Sequence, residues 1–306
     1  MLATLRRAVR YKVATLDATR RTFGNWAACI ALASPQTRWG WPARSIDWRT
    51  RSGLVIQTMA GEKDCWAPSE VLALDVYGLE QLAELGPSTV LDIGANVGAF
   101  SIGAVSQFAN ARSLAVEPRL LTFNQLVRNV ERNNLRSRVE CIHAAAIGSR
   151  SVREVYLIET PKGRLLSTTS FEPADPPNGA RTVVPAKSLS ELVESFGRVD
   201  LVKIDAEGAE YEMLDATGDD HLRAIGALVL EYHPKGERSW PHLASRLRAA
   251  GMHVFVREMR DGCGLMWATS SQGTVDVLHA CAKRPVLEAF SDTSTNRLWT
   301  PQDLPS

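Results

Sequence analysis

The chain has 306 residues, of which 45% are hydrophobic, and a formal net charge of +1. This composition is that of a packed globular protein, and the near-neutral charge argues against nucleic acid or another polyanion as a partner. No segment approaches the ~20 consecutive apolar residues of a membrane span, so we expect a soluble body in the cytoplasm. The cysteines form no CxxC pair and no group with zinc-ligand spacing, which favours a reducing compartment; they are Cys29, Cys65, Cys141, Cys263 and Cys281.

Residues 1–66 are predicted to form a basic arm followed by a lead-in layer. Residues 1–50 contain nine Lys or Arg against two Asp, and residues 5–21 have the pattern of a basic helix. Such a helix either docks on the body of the protein or makes a peripheral contact with anionic lipid. The pattern beyond it predicts a short strand and then a helix that begins near Ser69 and ends before Gly86.

From Thr89 onward, apolar strands alternate with amphipathic helices, which is typical of βαβ units and a parallel sheet. The predicted domain covers residues 67–285, with an inserted hairpin and Pro-rich loop at 150–180 and a loose tail at 286–306. A closing hairpin is expected from one strand in 252–259 and another in 275–282. The alternating elements are predicted strands at 89–94, 112–118, 138–145, 199–205 and 226–234, and helices at 99–108, 122–133, 189–196, 210–215 and 240–251.

The stretch VLDIGANVGAFS, residues 90–101, places a glycine-containing loop at the end of the first of these alternating strands. The carboxyl edge of a parallel sheet is where open α/β folds bind ligands. Gly94 and Gly98 lack a Cβ, so the backbone can adopt positive φ and approach a ligand closely. Their spacing is not that of the GxGxxG dinucleotide fingerprint, and no Lys-Ser/Thr of a phosphate-binding P-loop follows. Phosphate is therefore not the expected ligand.

A second signal is Glu117, which ends the next strand in the sequence LAVEP, about 25 residues after Asp92. Nucleotide-binding sheets place an acid at this point, where it accepts hydrogen bonds from both ribose hydroxyls. The two acids together describe a pocket for an adenosine that carries a positively charged side arm.

This combination resembles the class I S-adenosylmethionine-dependent methyltransferases, and the match is sharpest to the FkbM family. The motifs that carry the resemblance lie between about Ala67 and Pro234, and they are VLDIGANVGAFS, EPRLLTFNQLVRNVERN, AAAIGS, TVVPAKSLSELV, DLVKIDAEGAEYEML and LEYHP. The resemblance implies an α/β Rossmann-like fold, with a mostly parallel seven-stranded sheet, an antiparallel C-terminal hairpin and helices on both faces. It also implies S-adenosylmethionine as the cofactor.

The resemblance further assigns parts of the cofactor to particular residues. Gly94, Asn96 and Gly98, in the loop at 94–98, would line its methionine end, and Asp92 would orient that loop and the amino group of the ligand. Glu117 would hold the ribose. Ala145 and Ala146 would border the adenine, although small residues at this place also serve as ordinary strand filler.

The motif DLVKIDAEGAEYEML ends the fourth alternating strand and starts a helix. The family presents its donor methyl group here, so the resemblance implies catalytic roles for Asp205 and Glu207, whereas Glu210 suits a helix cap. Methyl transfer needs an aligned acceptor and one base. His233 in LEYHP, with an ordinary pKa, either supplies that base or anchors a loop. Asp205, Glu231 and His233 also have the chemistry to ligate a divalent metal ion, which the sequence leaves open.

The predicted activity is O-methylation of a hydroxyl on a small-molecule, glycan or glycolipid acceptor, such as a sugar or a secondary metabolite. The alternatives are N- or carboxyl-methylation of a small molecule, and a non-catalytic binding protein that retains the fold. Methylation of nucleobases is disfavoured, because the DPPN stretch Asp175–Asn178 precedes the fourth alternating strand instead of following it and lacks an aromatic fourth residue. We therefore expect no nucleic-acid partner.

Overall fold

The structure is a computed structural model that describes residues 2–33, 45–60, 62–159, 180–259, 262–284 and 298–303. The helices are α1 Leu2–Thr22, α2 Trp26–Ala33, α3 Leu79–Leu82, α4 Ala99–Gln107, α5 Leu120–Arg132, α6 Leu189–Glu194, α7 Glu210–Ala216, α8 Asp219–Arg223, α9 Trp240–Ala249 and α10 Val275–Lys283. The strands are β1 Ser45–Arg49, β2 Val55–Met59, β3 Thr89–Ile93, β4 Arg112–Glu117, β5 Val139–His143, β6 Ala145–Ile147, β7 Glu154–Glu159, β8 Ala180–Ser188, β9 Val199–Ile204, β10 Ile225–Tyr232, β11 His253–Glu258, β12 Gly264–Thr269 and β13 Leu298–Trp299.

The described residues form a main sheet of eight strands in the order β13-β11-β12-β10-β9-β3-β4-β5. The strands from β10 to β5 are parallel, and β12 enters antiparallel between β10 and β11. One hydrophobic core contains side chains of α4, α5 and α10, and a second contains side chains of α6, α7 and α9. The predicted Rossmann-like α/β class is confirmed. The eighth strand is the short β13, which comes from the segment predicted as a tail.

The direction of strand addition changes between β3 and β9. The chain runs outward from β3 through β4 to β5, and it later returns to the other side of β3 with β9 and β10. At such a switch point the loops that follow the two central strands diverge and leave a crevice. The loops after β3 and β9 carry half of the site residues that the sequence singled out, namely Gly94, Asn96, Gly98, Asp205 and Glu207.

The closing hairpin differs from the prediction in its second strand. Residues 275–282, predicted as a strand, belong to helix α10, whereas β12 occupies part of the predicted connection. Leu278 and Ala282, four positions apart on one face of α10, are fully buried. Periodicity alone does not distinguish a short buried helix from a strand. Gly264, the first residue of β12, leaves no room for a side chain, because a Cβ there would come within 2.4 Å of the backbone oxygen of Arg257 in β11.

The helix predicted to end before Gly86 is interrupted. A π-helical turn covers Ser69–Ala73, and α3 begins six residues after it. In between, Asp75 adopts a φ of 51°, and its carboxylate accepts hydrogen bonds from two backbone N–H groups of α3 at 2.6 and 3.2 Å. Asp75 thereby caps α3, and the break brings Tyr77 to the carboxyl edge of the main sheet.

Two smaller sheets flank the main one. In the first, β1 pairs with β2, and the side chains of Asn129 on α5 and of Asn133 just after it each exchange two hydrogen bonds with the backbone of β2. In the second, β8 lies between β6 and β7. The strand predicted at 138–145 is thus divided between β5 and β6. The second predicted strand of the inserted hairpin and the Pro-rich loop lie outside the described residues.

The N-terminal helix α1 contacts the π-helical turn Ser69–Ala73 through Thr19. This residue is fully buried, and its hydroxyl lies 2.6 Å from that of Ser69. This is the kind of contact that the docking interpretation of the basic arm requires, and the lipid contact stays a prediction. Among the described helices, none combines the length and the apolar character needed to cross a membrane. All five cysteines lie within the described ranges as free thiols.

Candidate active site

Close packing against neighbouring elements explains why glycines occupy the loop after β3. Gly94 has a φ of 69°, and a Cβ on it would lie 1.8 Å from the carbonyl oxygen of Asp205. Gly98 has a φ of 89°, and its Cβ would lie 2.6 Å from the side chain of Leu126 on α5. Asn96, between them, also has a positive φ, of 52°. The loop is bare because the end of β9 and the face of α5 approach its backbone closely.

A small cavity of about 100 Å³ opens beside this loop, at the ends of β4 and β6. Glu117 contributes a carboxylate at the end of β4: Oε2 accepts a hydrogen bond from the backbone N–H of Asn96 at 2.9 Å, and Oε1 accepts one from that of Arg119 at 2.9 Å. The two backbone donors fix the orientation of the carboxylate. Ala145 and Ala146 of β6 contribute apolar lining.

This lining fits the nucleoside part of S-adenosylmethionine. An ionised carboxylate only accepts hydrogen bonds, which suits a pair of ribose hydroxyls, and the small apolar side chains leave room for a flat base. Gly94, Asn96, Asp205 and Glu207 line this cavity and also a larger one, so the two cavities meet at the glycine loop. Gly98, which was expected to line the cofactor site, is not among the described residues that line the two cavities.

Asp92 lies behind the loop and is fully buried, and it is not among the residues that line the two described cavities. Its Oδ2 accepts hydrogen bonds from the backbone N–H and the hydroxyl of Ser101, and its Oδ1 lies 3.3 Å from Nζ of Lys203. Lys203 in turn donates a hydrogen bond to the carbonyl of Gly94 at 2.8 Å. Burial lowers the pKa of Lys203, but Asp92 and Asp205 outweigh burial and raise the pKa overall. A buried cation thus ties the glycine loop to β9.

The larger cavity has a volume of about 510 Å³. Its lining combines apolar side chains with charged groups, and the acids outnumber the bases. The charged residues that line it are Glu70, Asp205, Glu207, Glu231, Lys203 and His233. A cavity with this balance favours neutral or cationic molecules and repels anions.

Tyr77 connects two of these acids. Its hydroxyl lies 3.2 Å from Oδ2 of Asp205 and 3.2 Å from Oε2 of Glu231, and the Lys203 ammonium lies 5.4 Å from the centre of its ring. Burial and the two carboxylates raise the pKa of Tyr77 well above its usual range, so the hydroxyl keeps its proton. Burial and the charge of Asp205 raise the pKa of Glu231 to about 8. The sequence analysis missed Tyr77, because it precedes the motifs and only the broken helix brings it here.

His233 does not have the ordinary pKa expected of a base. Its Nδ1 lies 3.1 Å from Oε1 of Glu210, and its Nε2 lies 4.0 Å from Glu207 and 3.9 Å from Glu231. Burial lowers the pKa of His233, but the hydrogen bond to Glu210 and the surrounding acids outweigh burial and raise the pKa to about 9. The raised pKa favours the protonated form of His233 at neutral pH, and its role as a base or as a loop anchor stays a prediction. Glu210 also accepts hydrogen bonds from the backbone N–H groups of Ala206 and Gly208, which lie in the turn before α7 and not in the helix, so it does not cap α7 in the expected way.

The described residues contain no group of three or more His, Cys, Asp or Glu side chains that could hold a metal ion. Asp205 and Glu231, which the sequence suggested as ligands together with His233, are instead bridged by the hydroxyl of Tyr77. The suggested ligand set is therefore not formed.

The strand order, the glycine loop at the switch point and the acid at the end of β4 together define a class I methyltransferase. A family model described as the methyltransferase FkbM domain matches residues 92–261, which is more than half of the chain. The protein belongs to this family, and it is a methyltransferase of the S-adenosylmethionine-dependent type. The family assignment made from the motifs is confirmed.

Individual relatives are distant. The chain is 26% identical over 192 residues to methyltransferase sdnD of Sordaria araneosa, an alignment that covers 54% of this chain and 73% of that protein. It is 27% identical over 164 residues to methyltransferase 1 of Beauveria bassiana, covering 47% of this chain and 64% of that protein. The solved structure of M. capricolum TrmK with S-adenosyl-homocysteine aligns at 15% identity with a TM-score of 0.39, over 63% of this chain and 67% of that chain.

Proposed function

We propose that this protein is an O-methyltransferase that methylates a hydroxyl of a sugar, a glycolipid or a secondary metabolite. The observation that carries the proposal is the carboxylate-rich cavity of about 510 Å³, which meets the cofactor cavity at Asp205 and Glu207. Hydroxyl groups of such an acceptor donate hydrogen bonds to carboxylates. A carboxylate acceptor would be repelled by the same acids, which disfavours carboxyl-methylation.

S-adenosylmethionine, when bound, supplies an electrophilic methyl group. Asp205 lines both cavities, so it accepts the hydrogen bond of the acceptor hydroxyl and receives the proton as the oxygen becomes methylated. Glu207 lies at the same junction and helps to orient the acceptor. His233, as a cation, donates hydrogen bonds instead of accepting a proton. Glu117 would hold the ribose of the bound cofactor on the other side of the junction.

N-methylation of an amine is the second candidate. The acids of the larger cavity also attract a protonated amine. A protonated amine has no lone pair, however, and must first lose its proton, whereas a neutral hydroxyl needs a base only as the bond forms. The cavity therefore favours the hydroxyl.

The test is an acceptor screen with S-adenosylmethionine, using sugars, glycolipids and secondary-metabolite alcohols together with matched amines and carboxylic acids. Formation of S-adenosyl-homocysteine detects turnover, and NMR of the product identifies the methylated atom. Asp205→Asn should lower kcat about 100-fold or more with any accepted alcohol. Glu212→Gln, at a half-buried ion pair with Lys235 that does not line either described cavity, is the matched control and should leave kcat unchanged. Transfer only to nitrogen or carboxylate, or an unchanged kcat in Asp205→Asn, would contradict the proposal.

A further inference from the structure

The hydroxyl of Tyr77 makes two contacts but has only one proton to donate. Both contacts, to Asp205 Oδ2 and to Glu231 Oε2, measure 3.2 Å, slightly longer than the usual ~2.5–3.0 Å of an O–H···O hydrogen bond. Two ionised carboxylates only accept hydrogen bonds, so the second contact would then lack a proton. The arrangement is satisfied when one of the carboxyl groups is protonated and donates to the Tyr77 oxygen.

We propose that Asp205, Tyr77 and Glu231 form one hydrogen-bonded unit. Besides the phenolic proton of Tyr77, the two carboxyl groups share a single proton between them, and Tyr77 is a positioning residue. Glu231 carries the shared proton and donates it to the oxygen of Tyr77, and Tyr77 donates its own proton to the ionised Asp205. The unit keeps Asp205 ionised and correctly oriented toward the acceptor. Its role in methyl transfer rests on the proposed function, whereas the shared proton itself does not.

The surroundings determine which end of the unit is ionised. Asp205 borders both cavities and has the ammonium of Lys203 at 3.8 Å from its Oδ2. Glu231 borders only the larger of the two described cavities. Burial, Asp205 and Glu70 favour the protonated form of Glu231, and His233 and Lys203 oppose them less strongly, so its pKa is raised. The shared proton therefore belongs at the Glu231 end.

During turnover the unit gains one proton. The O–H bond of the acceptor breaks, the oxygen forms its new bond to the methyl carbon, and the C–S bond breaks with its electron pair on sulfur. The acceptor proton goes to the carboxylate of Asp205. The unit then holds one proton more than at rest, and that proton leaves to solvent before the next cycle.

The experiment is ¹³C NMR of the protein labelled at the glutamate carboxyl carbons, with the Glu231 signal assigned by its absence in Glu231→Gln. The signal is followed between about pH 5 and pH 10, with and without S-adenosyl-homocysteine, in wild type, Tyr77→Phe and Tyr211→Phe. Tyr211 is the matched control, because its hydroxyl is buried in the described structure without a hydrogen-bond partner and it does not line the described cavities.

The direction in which Tyr77→Phe shifts the titration midpoint of Glu231 decides whether the unit holds the shared proton. The protonated unit contains two hydrogen bonds through Tyr77 and the fully ionised unit contains one. Removing the hydroxyl should therefore lower the Glu231 midpoint by roughly 0.5–1 pH unit, the equivalent of one hydrogen bond. A hydroxyl that merely donates to an ionised Glu231 predicts the opposite, a raised midpoint. Tyr211→Phe should leave the midpoint unchanged.

An unchanged or raised midpoint in Tyr77→Phe would overturn the proposal. So would a wild-type Glu231 that is already ionised at neutral pH, a result that does not depend on Tyr77→Phe. Binding of S-adenosyl-homocysteine is measured in the same samples. Its failure in wild type would contradict the proposed function, while the titration would still decide whether the shared proton exists.

Discussion

Replacing Glu117 by alanine tests the cofactor cavity directly. Two ribose hydroxyls that donate to this carboxylate would each contribute about 1.5–3 kcal/mol, the usual range for hydrogen bonds to a charged group. Water that enters the cavity in the variant would recover part of this. We therefore expect a loss of at least about 1.4 kcal/mol, which is a tenfold or greater rise in Kd.

Isothermal titration of wild type and Glu117→Ala with S-adenosyl-homocysteine measures this loss. Glu62→Ala is the control, because Glu62 pairs with Arg119 at the same end of α5 but its side chain is 51% exposed. Its Kd should stay within twofold of wild type. The alanine also removes the acceptor of two backbone N–H groups, so the thermal midpoint without ligand is recorded. A folded Glu117→Ala that binds as tightly as wild type would refute the assignment of the ribose site.

Three further predictions concern stability. Lys203→Met leaves Asp92 buried without its cation and should lower the free energy of unfolding by about 3–5 kcal/mol in a denaturant titration; a loss below 1 kcal/mol would contradict the buried pair. Gly94→Ala should destabilise more than Gly53→Ala, because both have positive φ but only the first Cβ meets another atom; equal losses would remove the packing explanation. His233, whose pKa rises from 6.5 to about 9 on folding, should stabilise the protein by up to about 3 kcal/mol below pH 6.5, and this contribution should disappear as the pH rises through 9. The cost of His233→Gln should shrink over that interval, and a cost independent of pH would show that the histidine is not charged.

Much of the site could be predicted because its residues follow strand ends in the sequence. Glu117 ends β4, Asp205 follows β9 and His233 follows β10, and parallel strands bring these ends to one edge of a sheet. The alternation of strands and helices is a local pattern, and the order of the motifs along the chain matches that of the family. The roles of the individual residues stay predictions until cofactor binding and turnover are measured.

Other features depend on contacts that no local pattern records. Residues 275–282 have an apolar pattern compatible with either a strand or a helix, and packing against the sheet decides for the helix. The sequence suggested that Gly94 is a glycine so that a ligand can approach. In the structure a side chain at this position is excluded by the carbonyl of Asp205, which is distant in the sequence.

The sequence by itself determined the fold class, the family and the acids at the strand ends, because these follow from hydrophobic periodicity and from motifs of a few neighbouring residues. The tertiary structure decided the protonation of the site. Tyr77 reaches Asp205 and Glu231 from the break in the predicted helix, and the hydrogen bond to buried Glu210 is the largest of the contacts that raise the pKa of His233. Burial and charge act through space, so the same residues have ordinary pKa values when they are considered along the chain alone.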